Sequence, residues 1–120
     1  MVKIYTSPGS VSSRKAKSWF KTHDIPFEEK NIFKTTLDES EVKEMLVKSE
    51  NGTDDLISRR SKIMRSINID LDDMSLSELI RFIQANPSIL RRPIMVDDRH
   101  IQAGYNSEEI ETFIPRQRMI

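Results

Sequence analysis

The chain has 120 residues, 19 Lys and Arg against 19 Asp and Glu, and no cysteine. It is long enough to bury one core without covalent staples, and its neutral total gives no whole-molecule field toward nucleic acid or membrane. With His23 and His100 as its only imidazoles and no thiol, neither a structural zinc site nor a disulfide framework is expected.

No apolar run approaches the ~18 residues of a membrane span. The N-terminus "MVKIYTSPGS" leads straight into a strand pattern with no leader-like apolar stretch, so a cytoplasmic protein without a membrane partner is the expectation.

In chain order, Val2 to Tyr5 is a short β-rich run. "SPGSVSS" (7–13) follows as a turn, and "RKAKSWFK" continues as a helix. Its apolar stripe is Ala16, Trp19 and Phe20, and Lys15, Lys17 and Lys21 face water. A turn at Asp24 to Pro26 precedes a second strand near Phe27 to Lys30, with Pro26 at its start. "TLDE", Thr36 to Glu39, matches a capping box ahead of Val42, Met45 and Leu46 at helical spacing. That helix should stop at "ENGT", where Gly52 can take a positive φ.

Residues 54–72 read as short helices and loops carrying Leu56, Ile57, Ile63, Met64 and Ile67. A second capping box, Ser75 to Glu78, opens a helix with Leu76, Leu79, Ile80 and Ile83 on one face, ended by Asn86 and Pro87. Pro93–Val96 and His100–Ala103 make a hairpin across an acidic turn. A last helix runs from Asn106 through Ile110 and Phe113 to Pro115. Met45, Met64 and Met74 read as core filler. The order is β-α-β, a helical insertion, then β-β-α, with no repeat or linker, so one domain is expected over 1–120.

Three readings compete for Ser10 and Ser13. A serine just before a helix is a good cap. A nucleophilic serine needs a base within reach, and neither histidine shares its context, nor is there a GxSxG elbow. A helix N-terminus also stabilises a thiolate, and Ser10 and Ser13 have the spacing of a redox CxxC pair with oxygen for sulfur. The basic residues cluster at Arg59, Arg60, Lys62 and Arg65 and again at Arg91 and Arg92. Such clusters are solvated faces with structural ion pairs, or sites for oxyanions or acidic partners. Without interleaved aromatics or a helix-turn-helix pattern, autonomous DNA reading is not expected.

Taken together, "YTSP", "RKA", "IPFEEKNIF", "NGTDDLIS", "ILRRPIMVDD" and "GYNSEEI" resemble the arsenate-reductase-related ArsC/Spx family, on the side of its transcription regulators. The match runs from Met1 to about Arg116 in uninterrupted register. The resemblance implies an α/β, thioredoxin-like mixed sheet, with thioredoxin-like halves at 1–34 and 93–116 and a helical insertion at 35–92. It implies a cis-proline at Pro93 and a redox CxxC pair at the positions of Ser10 and Ser13.

It further implies that the partner is the C-terminal domain of the RNA polymerase α subunit, bound at Gly52, with Arg60 and Arg92 needed for activity. By physical reasoning, a residue without a side chain allows close backbone approach, and a guanidinium can stabilise a nearby anion. Lys62 and Arg65 could touch promoter DNA, but only within the complex with polymerase. Family members usually carry a further C-terminal tail recognised for proteolysis through an adaptor. No cofactor, metal or catalytic residue is expected. The alternative is an arsenate-reductase-like thiol oxidoreductase. It would require a cysteine at Ser10 and a further arginine where this chain has Tyr105. A third is a fold relative with an unrelated protein partner.

Overall fold

A computed structural model of the chain describes residues 1–118. The chain divides into two compact units, one made of 1–31 with 92 onward, the other of 32–91.

The first unit holds strands β1 (Val2–Thr6), β2 (Phe27–Asn31), β3 (Ile94–Val96) and β4 (Ile101–Ala103) and helix α1 (Val11–Thr22). The four strands form one sheet in the order β2-β1-β3-β4. β1 and β2 run parallel from Val2↔Phe27 to Thr6↔Asn31, which requires a crossover, and α1 supplies it. β3 returns antiparallel to β1, with Tyr5 opposite Ile94, and pairs with β4 as a hairpin. This is the mixed, thioredoxin-like α/β sheet.

Val2 and Ile4 of β1 and Met95 of β3 share one face of the sheet. They pack with Ala16, Phe20, Ile110 and Phe113 into a buried core. Phe20 is the centre of that core, with ring centroids 5.0 Å from Trp19, 5.8 Å from Phe27 and 5.6 Å from Phe113. Trp19 is only partly buried, and stacks on His23 at 4.1 Å.

The last element departs from expectation. Residues Glu109–Phe113 and Arg116–Arg118 are 3-10 turns, not an α-helix. Asn106 Oδ1 accepts from the N–H groups of Glu108 and Glu109, both at 2.9 Å, and Pro115 stops the chain soon after. With about three residues per 3-10 turn, side chains three apart eclipse. Ile110 and Phe113 therefore point the same way, and both are buried. The Arg118 guanidinium then donates to the carbonyls of His23 and Asp24 just beyond α1.

The second unit contains α2 (Glu39–Lys48), α3 (Thr53–Leu56), α4 (Lys62–Ser66) and α5 (Leu76–Ala85), with 3-10 turns at Leu71–Asp73 and Pro87–Ile89. α5 opens on the expected Ser75–Glu78 box, closed by reciprocal bonds of 3.2 and 3.0 Å. The box of α2 lies two residues later than "TLDE" suggests. Asp38 is the cap, accepting from the Glu41 N–H at 2.8 Å, and the Glu41 side chain accepts from the Asp38 N–H at 3.0 Å. Leu37 is buried immediately before it, so burial of that side chain sets where the chain turns into the helix.

Leu79, Ile80 and Ile83 face inward from α5, but Leu76 is 49% exposed, contrary to its place in the stripe. Met45 is core, whereas Met64 and Met74 are only partly buried. α2 and α5 pack together, and Gln84 donates to the Leu37 carbonyl at 2.9 Å. An antiparallel bridge, Ile57↔Leu90, closes the unit, flanked by Ser58 N–H to Ile89 O and Arg91 N–H to Leu56 O, both 2.8 Å. Among the described residues no helix is long and apolar enough to cross a membrane.

Candidate functional site

Ser10 caps α1. Its backbone is extended and its Oγ accepts from the Ser13 N–H at 3.1 Å. Gly9, with φ +74°, lets the chain turn sharply from β1 into that cap. Ser13 lies one turn further on, on the stripe with Ala16 and Phe20, and is 2% exposed. Its hydroxyl has no hydrogen-bond partner among the described residues. An orphaned buried hydroxyl costs about 1–3 kcal/mol, whereas a thiol is a weak donor that behaves as a small hydrophobe. The environment of residue 13 thus suits sulfur better than oxygen.

Arg92 and Pro93 belong to the same unit, and the peptide bond between them is cis. Because Tyr5 pairs with Ile94, Pro93 follows opposite Thr6, at the end of β1 from which the Ser10 turn departs. Pro93 is buried, and its carbonyl accepts from the Gly104 N–H at 2.7 Å. Arg92 is half-buried and engaged with the surrounding residues. Tyr105, where a reductase would need an arginine, is packed against the core.

Beside this turn lies a polar group that the sequence pattern did not single out. Thr6 is buried and donates to Glu29 Oε2 at 2.7 Å, and Lys17 Nζ reaches the same oxygen at 3.1 Å. The Thr6 hydrogen bond, opposed by partial burial and reinforced by Lys17 and the field of Lys21, holds the Glu29 carboxyl below its usual range. In "FEEKN" nothing marks Glu29 over Glu28. Only strand alternation would have placed it on the side of α1, with Phe27.

The remaining predicted residues are in the other unit, along one stretch from the end of α2 to α4. Gly52 does not close α2, which ends at Lys48 with Ser49 as its cap. It is instead the first residue before α3, with φ +56° and ψ −123°, a conformation that favours glycine. A Cβ built there would meet nothing within 4 Å. The direction a side chain would take from this turn is therefore open.

Arg59 pairs with Asp54 at 3.0 Å, an exposed pair worth little. Arg60, Lys62 and Arg65 are exposed and form no ion pair among the described residues. Lys62 and Arg65 stand at i and i+3 on α4, which Ser61 caps. No cluster of His, Asp and Glu able to hold a metal ion occurs among the described residues.

The model of the ArsC family matches residues 5–113. The chain belongs to the ArsC family. Within that family it is 50% identical over 117 residues to a Listeria innocua protein named global transcriptional regulator Spx, covering 98% of this chain and 89% of that one. The protein of the same name from Staphylococcus aureus Mu50 is 48% identical over the same shares. At those identities the chain sits with the Spx branch of the family. Among solved structures, a Staphylococcus aureus COL protein superposes with TM-score 0.81 at 17% identity, over 96% of this chain and 100% of that one. An arsenate reductase from Vibrio cholerae superposes with TM-score 0.72 at 18% identity, over 92% of each. These superpositions support the thioredoxin-like fold.

Proposed function

We propose that this chain is a cytoplasmic transcriptional regulator that docks on the C-terminal domain of the RNA polymerase α subunit and is not an enzyme. The observation that carries the reading is the near-complete, roughly half-identical match to proteins named global transcriptional regulator Spx. Gly52 is the contact point. A Cβ added there would meet nothing within 4 Å, which leaves a partner room to approach on that side. Arg60 supports activity from the same stretch, and Lys62 and Arg65 face promoter phosphates once polymerase is in place. Arg92, on the other unit, lies next to Pro93 near the Ser10 turn.

The redox switch of the branch is absent here. A serine hydroxyl is far less acidic than a thiol and forms no disulfide, so Ser10 acts as a cap. For the same reason an arsenate-reductase-like activity lacks its nucleophile at Ser10.

Titration of the chain into isolated α C-terminal domain, followed by calorimetry or NMR shifts, tests the reading. Saturable binding is expected, abolished by Gly52→Arg. Since a side chain at 52 projects into open space, Gly52→Ala carries the backbone strain without the bulk. It should fold less stably yet still bind. No binding by the parent, followed by none after cysteines are placed at Ser10 and Ser13, would overturn the assignment.

A further inference from the structure

We propose that Asn51–Gly52 is a site of spontaneous covalent modification. There the Gly52 backbone nitrogen closes on the Asn51 side chain, ammonia leaves, and hydrolysis yields aspartate or isoaspartate. Asparagine is among the thermolabile residues, and the chain has five, of which only Asn51 precedes glycine. Asn31 and Asn68 precede isoleucine, whose branched side chain crowds the backbone beside it. Asn86 precedes Pro87, which has no N–H to lose. Asn106 holds its amide oxygen on the N–H groups of Glu108 and Glu109.

The folded structure leaves the Asn51 reactants accessible. Asn51 is exposed, and its carbonyl accepts from the Asp54 N–H at 3.2 Å. Gly52, at φ +56° and ψ −123°, takes the first central position of a type II′ turn. Its N–H makes no hydrogen bond among the described residues, so the attacking nitrogen is free. Lacking a Cβ, Gly52 neither shields that nitrogen nor resists the rotation that ring closure needs. Asp55 holds the other reactant. Its Oδ1 accepts from Asn51 Nδ2 at 3.2 Å and its Oδ2 from the Asn51 N–H at 2.9 Å. A carboxylate only accepts, so the amide nitrogen, which is the leaving group, lies on the Asp55 side.

The reaction balances with water as its only co-reactant. The Gly52 nitrogen forms a bond to Asn51 Cγ and the Cγ–Nδ2 bond breaks. The proton lost from the Gly52 nitrogen leaves with the amide group as ammonia. Water then opens the ring at Cγ to give aspartate, or at the Asn51 α-carbonyl to give isoaspartate. In the second product the chain runs through the side chain and gains a methylene. Either product puts a carboxylate where Asp55 now has an amide donor, and like charges repel. The iso-linked product also displaces Gly52. That docking is then lost rests on the function proposed above, whereas the chemistry does not.

The test is incubation of the full chain for days in mildly alkaline buffer. Mass spectrometry of its peptides follows, against synthetic peptides carrying aspartate or isoaspartate at that position. Modification should accumulate in the peptide holding Asn51, with isoaspartate the larger share. Asn51→Gln, which would need a larger ring, should lose the signal. No modified peptide in the parent, equal modification at Asn31, Asn68 or Asn106, or a parental signal in Asn51→Gln would each overturn the proposal.

The isoaspartate form, separated by chromatography, is then titrated beside fresh chain against the α C-terminal domain. Saturable binding by fresh chain, its loss in the modified form, and retention by aged Asn51→Gln are expected. Equal binding by both forms would overturn the consequence for docking. No binding by fresh chain would count against the proposed function instead, with the peptide masses alone deciding the chemistry.

Discussion

In residues 32–91 the helix starts are closed mostly by side chains a few positions away: Asp38, Ser61 and Ser75 each accept from the N–H three residues on, and Asp70 from that of Asp72. In the other unit the defining bonds are long-range. β1 reaches forward to β2 across α1 and then to β3, more than eighty positions away in the chain. The contrast teaches where each unit is vulnerable. The capped unit should lose stability in small local steps. The sheet unit should lose it at a few buried residues that several strands share.

The largest expected effect comes from Phe20→Ala, which removes the ring at the centre of the sheet unit's core and should cost about 3–5 kcal/mol. Ile83→Ala in α5 is its counterpart, at about 2–5 kcal/mol. Trp19, the single tryptophan, reports the first unit by fluorescence, and amide exchange of α5 reports the second. If 1–120 is one cooperative domain, both probes move together in both variants. Separate denaturation midpoints would divide the chain into two folding units.

Single capping residues come next and sharpen the contrast within one motif. Ser10→Ala removes the α1 cap and should cost about 1 kcal/mol, as Ser75→Ala should for α5. Ser13→Ala should do the opposite, raising stability by about 1 kcal/mol through removal of an unpaired buried hydroxyl. Urea midpoints of the three variants decide it, and a destabilised Ser13→Ala would show that the hydroxyl has a partner.

The smallest effect concerns Glu29, which is 40% exposed on its side chain. Its folded-state value lies below the ordinary 4.5, so its contribution is in place above that pH and is lost as pH falls below it. Thr6→Val removes the largest cause of the depression and should flatten the acid limb of a pH–stability curve below about 4.5. An unchanged acid limb would reduce the Thr6–Glu29–Lys17 group to packing.

The element order and the chain stops at Asn86–Pro87 were legible because they rest on near neighbours in the chain. Periodicity, capping residues and prolines act within one or two turns. The same locality explains the errors. "TLDE" has the right chemistry, yet burial of Leu37 moves the cap to Asp38. Leu76 fits the helical stripe but faces solvent at the first position of α5. The segment after Asn106 has helical spacing, and eclipsing Ile110 with Phe113 in a 3-10 turn buries both.

Of the candidate sites, the serine cap could be read from residue chemistry. The roles proposed for Gly52, Arg60 and Arg92, and the expectation of a cis bond at Pro93, came from resemblance, since a lone glycine or arginine carries little pattern. What the sequence determined by itself was the order of elements, the cap at Ser10, the charge bias of α1 and the absence of any thiol chemistry. Only the tertiary structure decided the strand order β2-β1-β3-β4, the orphaned hydroxyl of Ser13 and the placing of Glu29 against Thr6 and Lys17. Each of these depends on which distant residues meet, and the free energy of such meetings is set by shared burial rather than by local preference.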